Sequence, residues 1–511
     1  MTASSQSNLS RRGLLKLMGG LAAASGVTAL IAACGAPAAP TAAPAAPKPT
    51  EAPKAAEPTK PAAAAPTSAP AAAAPTAAAK PTEAPKAAAP TAAPTAASKP
   101  AAATGGKLVV WNSPSFNKIA DDAIGSVYDA WCKANGATLD YQVIAANEWN
   151  NRVTAAIQAK QVPDVIYTFE SDTMFYRAQD LLADVTDTIN AAKNTEGGIF
   201  EAGLLAVGYQ GKYYGVPYVV NPWVMHTRID ILKEAGVEYP KTWDDMIAMS
   251  PKVSKPPTIY TLAMDLSNDG DSNSHLIPFF FTFGGAMQNE QGALTFKSPE
   301  TLAAIEKVKE MYTKKLIPPG AIGWNDSSAN NKAYQSRQCV FTYNPNSIYA
   351  YLDESDKPLR DVTGMYGQPA GPKGSYDLVD VRGFSAFKAS AGAKNADGAV
   401  AALKWFIDLK NYEKVIETGL NRWAPIYKNM MDRPMWSEKP AYKEYKRIMQ
   451  NGRATYYAGP PNAALQEVAN QYILAAMMND VVTGAVDPAK AMQTAYDKMV
   501  EIYKKWKQPV A

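Results

Sequence analysis

A strand–helix–strand–helix–strand pattern opens the apolar-rich part of the chain. Short apolar runs predict strands over 108–111, 139–144 and 165–168. Between them, apolar residues recur at helical spacing around 124–131 and around 149–157. Strands that alternate with helices in this way are typical of an α/β fold, in which helices cover a parallel sheet. The pattern therefore excludes an all-helical bundle and an all-β sandwich for this region.

Polar residues follow the first and third of these strands. Asn112 and Ser113 come after the first strand, and Glu170 and Ser171 come after the third. The carboxyl ends of parallel strands meet at one edge of the sheet, and ligands of open α/β sheets bind beyond that edge. We therefore expect these four residues to contribute to a ligand-binding site.

A second informative stretch carries aromatic and β-branched residues over 213–220, which predict a buried strand. We expect Asn221 and Pro222 to end it, because proline removes a hydrogen-bond donor and restricts the residue before it. Residues 230–235 then predict a short helix, and Gly236 suits the left-handed position that ends one.

Two further helix starts are visible in the sequence. Thr242 and Asp245 have the spacing of a capping box, and Asp487 precedes Pro488 in the arrangement of an N-cap and a first helical residue. Residues 381–387 predict a further strand.

The order of these motifs resembles that of the family 1 extracellular solute-binding proteins of ABC importers, the maltose-binding-protein-like group. The resemblance covers roughly residues 107–506, and Thr227 stands where the family usually has tyrosine. Its central motifs match at Gly211, Tyr214, Gly215, Pro217, Leu232, Lys233, Glu234, Ala235, Gly236, Pro240, Thr242, Trp243 and Asp244.

The resemblance implies a two-lobed periplasmic-binding-protein-like fold of type II, in which each lobe is a sheet wrapped by helices and hinge strands join the lobes. It places lobe 1 at about 107–219 plus 386–424 and lobe 2 at about 220–385 plus 425–511. The family's usual strand motif is replaced over 336–341, so no ligand contact is carried over there.

The N-terminus resembles an export signal. Arg11 and Arg12 match the twin-arginine pattern, an apolar stretch follows over 17–33, and residues 31–34 resemble a lipobox ending at Cys34. We expect residues 1–34 to be a signal peptide that ends at a lipidated Cys34. The mature protein would then be extracytoplasmic and anchored to the cell membrane by that lipid.

Residues 35–106 consist mainly of alanine, proline, threonine and lysine. Such a segment has too little apolar surface to offset the entropy of ordering it, and its prolines favour extended conformations. We expect a disordered tether between the anchor and a solute-binding domain over 107–511.

Composition excludes several classes of function. A formal net charge of +4 over 511 residues indicates no nucleic-acid partner, and two histidines leave little material for histidine-based metal sites or catalysis.

Residues 265–276 begin like a calcium loop, but Leu276 occupies the position of its bidentate glutamate, so a polar loop at the edge of a cleft is the better interpretation. No cofactor and no metal are expected. Cys132 and Cys339 are expected to be buried thiols, with pairing left open.

Aromatic residues that stand beside polar residues at turns are the candidates for gripping a sugar, whose rings offer an apolar face and a rim of hydroxyl groups. These further candidates are Asn221, Trp223, Trp324, Asp326, Trp423 and Tyr457.

The resulting hypothesis is a monomeric, lipid-anchored binding protein, not an enzyme, that closes around a sugar or oligosaccharide and delivers it to the permease subunits of an ABC importer. One alternative keeps the fold but changes the solute to a phosphoester, polyamine, peptide or ferric ion. Another is a secreted carbohydrate-active enzyme with Glu170 and Asp326 as its two carboxylates.

Overall fold

The computed structural model describes residues 106–511 with the exception of Glu170, Asn325, Leu420 and Asn421. The expected signal peptide, the lipidated Cys34 and the tether lie outside the described residues.

The strands form two main sheets and one small hairpin. The first sheet has the order β2-β1-β3-β11-β6, the second has the order β10-β7-β9-β8, and β4 pairs with β5. The strand bounds are β1 Gly106–Asn112, β2 Ala137–Val143, β3 Val165–Phe169, β4 Gly208–Tyr209, β5 Lys212–Tyr213, β6 Val216–Pro222, β7 Val224–Arg228, β8 Tyr260–Ala263, β9 Cys339–Asn344, β10 Thr363–Tyr366 and β11 Val379–Ala386.

Helices cover both main sheets. Their bounds are α1 Lys118–Ala134, α2 Ala146–Ala159, α3 Asp172–Ala178, α4 Thr186–Lys193, α5 Glu201–Val207, α6 Ile229–Glu234, α7 Trp243–Val253, α8 Gly270–Phe283, α9 Pro299–Thr313, α10 Ala329–Gln335, α11 Ser347–Ser355, α12 Lys357–Asp361, α13 Ala396–Ile407, α14 Leu409–Thr418, α15 Pro434–Ser437, α16 Lys443–Asn451, α17 Ala463–Asn470, α18 Ile473–Val482 and α19 Pro488–Lys505. Short 3₁₀ segments span Pro319–Gly323, Ala389–Ala391, Lys428–Asp432 and Pro440–Tyr442.

The strand–helix alternation predicted for the start of the domain is confirmed. β1 pairs in parallel with both β2 and β3, and α1 and α2 connect them. The other two strands of this sheet, β11 and β6, run antiparallel, so the sheet is mixed. Every residue of β6 is buried, as expected for an aromatic and β-branched strand near the middle of a core.

Each sheet has its own hydrophobic core, which makes the domain two-lobed. In lobe 1, Tyr128 stacks on Phe406 at 5.2 Å between ring centroids, and Phe384 meets Phe406 edge to face at 5.1 Å. In lobe 2, the ring of Trp243 lies 4.6 Å from that of Phe279, on the phenylalanine-rich helix α8. Helices α9, α18 and α19 complete this second core.

Three segments that connect the lobes lie side by side. β6 pairs with β11 at Pro222 and Val379, and the Trp223 N–H donates to the Leu378 carbonyl at 2.8 Å. The Val379 N–H donates to the carbonyl of Arg453 at 2.9 Å, which brings the third segment against the second. Asn221 and Pro222 thus stand at a crossing between lobes, as the sequence predicts, although β6 continues through both residues.

The lobe boundaries differ from the expected ones in two places. β11 belongs to the lobe 1 sheet along its whole length, so the chain returns at Val379 and not at residue 386. Ile426, Tyr442 and Met449 also lie in the lobe 1 core, whereas 425–511 was expected in lobe 2. An apolar face shows that a segment is buried, but it does not show which of two cores buries it.

Local features read from the sequence are confirmed by their contacts. Thr242 and Asp245 form both bonds of a capping box at α7, and the Asp487 side chain accepts hydrogen bonds at the start of α19. Cys132 and Cys339 are buried free thiols. Within the described part of the chain, no helix combines the length and apolar character that crossing a bilayer requires.

Candidate functional site

A cavity of about 190 Å³ lies between the two lobes. Lobe 1 contributes the segments after β1 and β3, one face of α2 and the middle of β11. Lobe 2 contributes the first turns of α8 and the helices α17 and α18, and Trp223 lines the cavity from the crossing segment. The carboxyl ends of the parallel strands are therefore at the site, as the sheet topology predicts.

Direct contacts join the lobes around this cavity. The Asn150 amide on α2 donates to the Tyr472 hydroxyl at 3.2 Å, and the Phe175 ring meets that of Trp506 edge to face at 5.5 Å. The buried guanidinium of Arg422 donates to the carbonyl of Ser115 at 2.9 Å and also to that of Ser347. The structure thus has its lobes in contact across the site.

Aromatic side chains supply flat walls. Trp149, Phe169 and Trp223 all line the cavity, and the first two meet edge to face at 6.1 Å. Trp149 lies on α2 and is only 3% exposed, while Trp223 is 2% exposed and packs against the lobe 2 core. Their rings are held in place by packing, which fixes the surfaces that they present.

An ion pair forms part of the cavity wall on the lobe 1 side. Arg382 and Asp380 are two residues apart on β11, so their side chains share a face, and Nε lies 2.5 Å from a carboxylate oxygen. The guanidinium also lies over the rings of Trp423 at 4.9 Å and Phe169 at 5.5 Å. Burial opposes the charge of Arg382, but the charges of Asp380 and Tyr167 raise its pKa overall.

Asp172 is a buried carboxyl at the start of α3, three residues after β3 ends. Burial raises its pKa to about 7, although the backbone N–H of Phe169, which donates to it at 3.0 Å, opposes the rise. The group therefore changes its charge near neutral pH.

A second acidic group faces the cavity from lobe 2. Asp271 lies in the first turn of α8, and burial, with the charges of Asp269 and Asp265, raises its pKa well above the usual range. Burial likewise raises the pKa of Asp265 to about 6. The loop from Asp265 to Gly270 reaches the cavity at Gly270, in agreement with a polar loop at a cleft edge.

Several buried polar atoms at the cavity have no hydrogen-bond partner among the residues that the structure describes. They are the Ser171 hydroxyl, the indole nitrogens of Trp149 and Trp223, and the Asn273 side-chain oxygen. A buried polar group without a partner costs free energy, so such groups at one cavity point to a ligand that completes them.

Three of the ten residues predicted to bind ligand line the cavity, namely Ser113, Ser171 and Trp223. Asn112 is the last residue of β1, directly before Ser113, and it is fully buried, where its amide donates to the Tyr141 hydroxyl at 2.9 Å. Asn221 is also buried, where its side-chain oxygen accepts from the Ala424 N–H at 3.0 Å.

The other predicted residues lie elsewhere. Trp423 is buried beside the guanidinium groups of Arg382 and Arg422, and Trp324 packs at the edge of the lobe 2 core. Asp326 pairs with Lys332, and Tyr457 packs edge to face on Phe281 at 5.3 Å. Glu170 lies outside the described residues.

The sequence reasoning missed most of the charged residues at the site. Asp172 directly follows the predicted rim residues and was the easiest to find. Trp149 belongs to an apolar helical stripe, which predicts a core residue, and Asp271 belongs to the stretch 265–276, which the sequence compares only with a calcium loop. Asp380 and Arg382 show the alternation of a strand face, but nothing in the sequence marks that face as a cavity wall.

The arrangement does not resemble a metal centre. Among the described residues, no group of three or more histidine, cysteine, aspartate or glutamate side chains is placed to hold a metal ion. Burial lowers the pKa of His226 and of His275 to about 4, so neither ring is charged at neutral pH. The site is thus a polar, aromatic-walled cavity made by two lobes.

A family comparison agrees with this architecture. The sequence model of the bacterial extracellular solute-binding proteins matches residues 126–444, more than half of the chain. The chain belongs to this family.

Known proteins resemble the chain at low sequence identity. The putative ABC transporter periplasmic-binding protein YcjN of Escherichia coli K12 is 19% identical over 392 residues, which is 72% of this chain and 86% of that protein. A probable ABC transporter-binding protein of Deinococcus radiodurans is 23% identical over 171 residues, 32% of this chain. This second match spans only 40% of the Deinococcus protein.

Solved structures share the fold of this solute-binding protein. Maltose-bound MalE3 of Thermotoga maritima superposes with a TM-score of 0.68 at 17% identity, over 78% of this chain and 100% of that one. A sugar transporter of Arthrobacter chlorophenolicus with bound laminaribiose gives 0.69 at 16% identity, over 77% and 99%.

Proposed function

We propose that this solute-binding protein is the extracytoplasmic, lipid-anchored receptor of an ABC importer and that it takes up a sugar. The observation that carries the proposal is the cavity between the lobes, where aromatic walls stand beside buried polar atoms that lack partners among the described residues. A sugar needs both features, because it has an apolar ring face and several hydroxyl groups.

The geometry assigns roles within this proposal. Trp149, Phe169 and Trp223 pack against ring faces, while the two indole N–H groups and the Ser171 hydroxyl donate to sugar oxygens. Asp172 accepts from sugar hydroxyl groups. At about 190 Å³ the cavity is below the roughly 300–1,000 Å³ of sites for drug-sized ligands, which favours a small sugar over a long oligosaccharide.

Closure of the lobes links binding to transport. Ligand contacts come from α2 and β3 in lobe 1 and from α8 and α17 in lobe 2, so only a closed state makes all of them. A ligand that binds the closed state better shifts the population toward it, and the permease then recognises that state. Structures of similar fold with bound sugars, such as the maltose-bound and laminaribiose-bound proteins, support this assignment.

Calorimetry with a panel of monosaccharides and disaccharides tests the proposal. We expect at least one neutral or charged sugar to bind and to be recovered chemically unchanged, which separates a receptor from a carbohydrate-active enzyme. Product formation, or binding by phosphoesters or peptides with no sugar bound, would contradict it.

Matched substitutions of two tryptophans test where the sugar binds. Trp149 and Trp405 both lie in lobe 1, and the indole nitrogen of each is buried without a partner among the described residues, but only Trp149 lines the cavity. Trp149→Phe is expected to weaken sugar binding about fivefold through one lost hydrogen bond, while Trp405→Phe leaves it unchanged. Equal effects of the two changes would place the sugar elsewhere.

A further inference from the structure

The acidic groups that line the cavity outnumber the basic ones. Its described lining residues include three carboxyl groups, Asp172, Asp271 and Asp380, and one cation, Arg382. Arg382 already forms an ion pair with Asp380, since its Nε lies 2.5 Å from a carboxylate oxygen of that residue. Asp172 accepts one backbone hydrogen bond. The lobe 2 side of the cavity, at Asp271, therefore lacks a positive partner from the described part of the protein.

The acidic neighbours of Asp271 each accept hydrogen bonds from the chain itself, although one carboxylate oxygen of Asp265 is buried without a partner among the described residues. Asp269 accepts from the Ser327 hydroxyl at 2.8 Å and from the Asp271 N–H at 2.6 Å. Asp265 accepts from the Ser267 N–H at 2.8 Å and the Ser272 hydroxyl at 3.0 Å. The Asp271 carboxylate takes no hydrogen bond and no ion pair from any described residue, although it is half-buried at the cavity.

A second unused acceptor lies two residues further along the same helix. Asn273 is 8% exposed and lines the same cavity, and its amide nitrogen donates to the Ala469 carbonyl at 3.2 Å. That bond fixes the orientation of the amide, and its oxygen is left without a partner among the residues described. The first turns of α8 thus present a carboxylate and an amide oxygen, both acceptors.

The start of α8 does not itself explain the unpaired carboxylate. A helix N-terminus carries about half a positive charge, which favours an acid but supplies no donor to the Asn273 oxygen. A metal ion would need more ligands than the described residues bring together. An ammonium group fits, because it has three donors, no acceptor and one positive charge.

We infer that the solute is an amino sugar whose protonated amine is bound by Asp271 and Asn273. This inference rests on the proposed function, and it adds the chemical class of the sugar. The acceptors of α8 hold the amine, and the donors Ser171 and Trp149 on the lobe 1 side hold hydroxyl oxygens. The two walls of the cavity thus recognise two different parts of one ligand.

Calorimetry on the full chain in detergent tests it with four probes: glucosamine, its β-1,4-linked dimer, glucose and N-acetylglucosamine. A charge-assisted hydrogen bond contributes roughly 1.5–3 kcal/mol, so an amine probe should bind about 10–100-fold more tightly than its neutral counterparts. Acetylation removes the charge but keeps the nitrogen, which isolates the contribution of the ammonium group.

Asp271→Asn provides the decisive variant, because it keeps the shape of the side chain and removes its charge. We expect the preference for the amine over its neutral counterpart to fall to within about threefold of unity. Asp129→Asn is the control, since Asp129 lies on α1, pairs with Lys133 at 2.6 Å and is outside the cavity. Thermal melting of both variants checks that each is folded.

The experiment separates failure of the amino-sugar inference from failure of the proposed sugar receptor. Neutral sugars that bind as tightly as amino sugars would overturn this inference and leave the proposed sugar receptor intact. A preference for amines that survives Asp271→Asn in a folded variant would overturn the role of Asp271. Putrescine bound in the absence of any sugar binding would overturn the sugar receptor but retain an amine site, and no binding by any amine probe would overturn the inference.

Discussion

Buried carboxyl groups at the cavity make the stability of this protein depend on pH through single residues. Asp172 has a folded-state pKa of about 7, whereas an unfolded aspartate titrates near 3.9. Between these values the folded state binds more protons than the unfolded state. The free energy of unfolding therefore falls as pH rises from about 4 to about 7 and levels off above that window.

Asp172→Asn removes this dependence, because an amide does not titrate. From about pH 5 to about pH 8, we expect the stability of the wild type to fall relative to the variant by about 3 kcal/mol. Urea unfolding at both pH values measures the two differences. A constant difference would show that the carboxyl of Asp172 has an ordinary pKa in the folded state.

Two of the tryptophans that the sequence proposes for gripping a sugar, Trp223 and Trp423, differ in their surroundings. Trp423 is 3% exposed and lies between two guanidinium groups in the lobe 1 core, so Trp423→Ala should lower the free energy of unfolding by about 3–5 kcal/mol. Trp223→Phe keeps most of the buried ring and removes a donor at the cavity. We expect its melting temperature to change by a few degrees and sugar affinity to fall about fivefold.

Calorimetry and thermal melting on both variants separate these roles. An intact melt with lost binding in Trp423→Ala would instead place that ring against the ligand.

At the scale of elements, strand β11 shows how a regular structure builds a site. Its residues alternate between the lobe 1 core, where Val381 lies, and the cavity, where Asp380 and Arg382 lie. A one-residue shift in its pairing with β3 would exchange the two faces and bury the ion pair in the core. The pairing of Phe384 with Tyr167 on β3 holds the observed register.

Helix α7 owes part of its stability to the capping box. The Asp245 N–H donates to the Thr242 hydroxyl at 3.0 Å, and the Thr242 N–H donates to the Asp245 carboxylate at 2.9 Å. Thr242→Ala removes the first bond and should destabilise the protein by about 1 kcal/mol. Thr494→Ala is the matched control: Thr494 is an exposed residue inside α19, where alanine is the better helix former.

Urea unfolding measures both changes. A smaller loss for Thr242→Ala than for Thr494→Ala would contradict the capping assignment.

At the scale of the whole molecule, the three crossing segments around Pro222, Leu378 and Arg453 lie side by side, and we propose that they act as the hinge between the lobes. We expect a bound sugar to lower the radius of gyration of the fragment 107–511, because ligand contacts to both lobes favour the closed arrangement. Small-angle scattering measures the radius, and far-ultraviolet circular dichroism should show unchanged helix content. An unchanged radius with saturating sugar would indicate a rigid pocket.

The proposed membrane anchor is a property of the full chain. Cys34→Ala is expected to release the protein from membranes or to leave its precursor uncleaved, because a diacylated cysteine anchors stably and a protein without it has no comparable attachment. Membrane fractionation with immunoblotting distinguishes bound from released protein. Normal processing together with unchanged membrane association would exclude lipidation at Cys34.

The sequence alone determined the local structure and the class of fold. Parallel pairing of β1 with β2 and β3, the cap at Thr242 and the start of α19 at Pro488 all follow from short-range patterns. The two helix starts depend on residues a few positions apart, and the parallel pairing follows from the alternation of strand and helix patterns along the chain. The motif order around 211–245 was sufficient to identify the family.

Only the tertiary structure decided which distant segments meet. Asp271, Arg382 and Gln466 come from different elements, and their shared position at the cavity depends on how two lobes pack together. The assignment of Tyr442 to the lobe 1 core has the same origin. Hydrophobic periodicity encodes which face of an element is buried, but the partner of that face is chosen by packing across the whole chain.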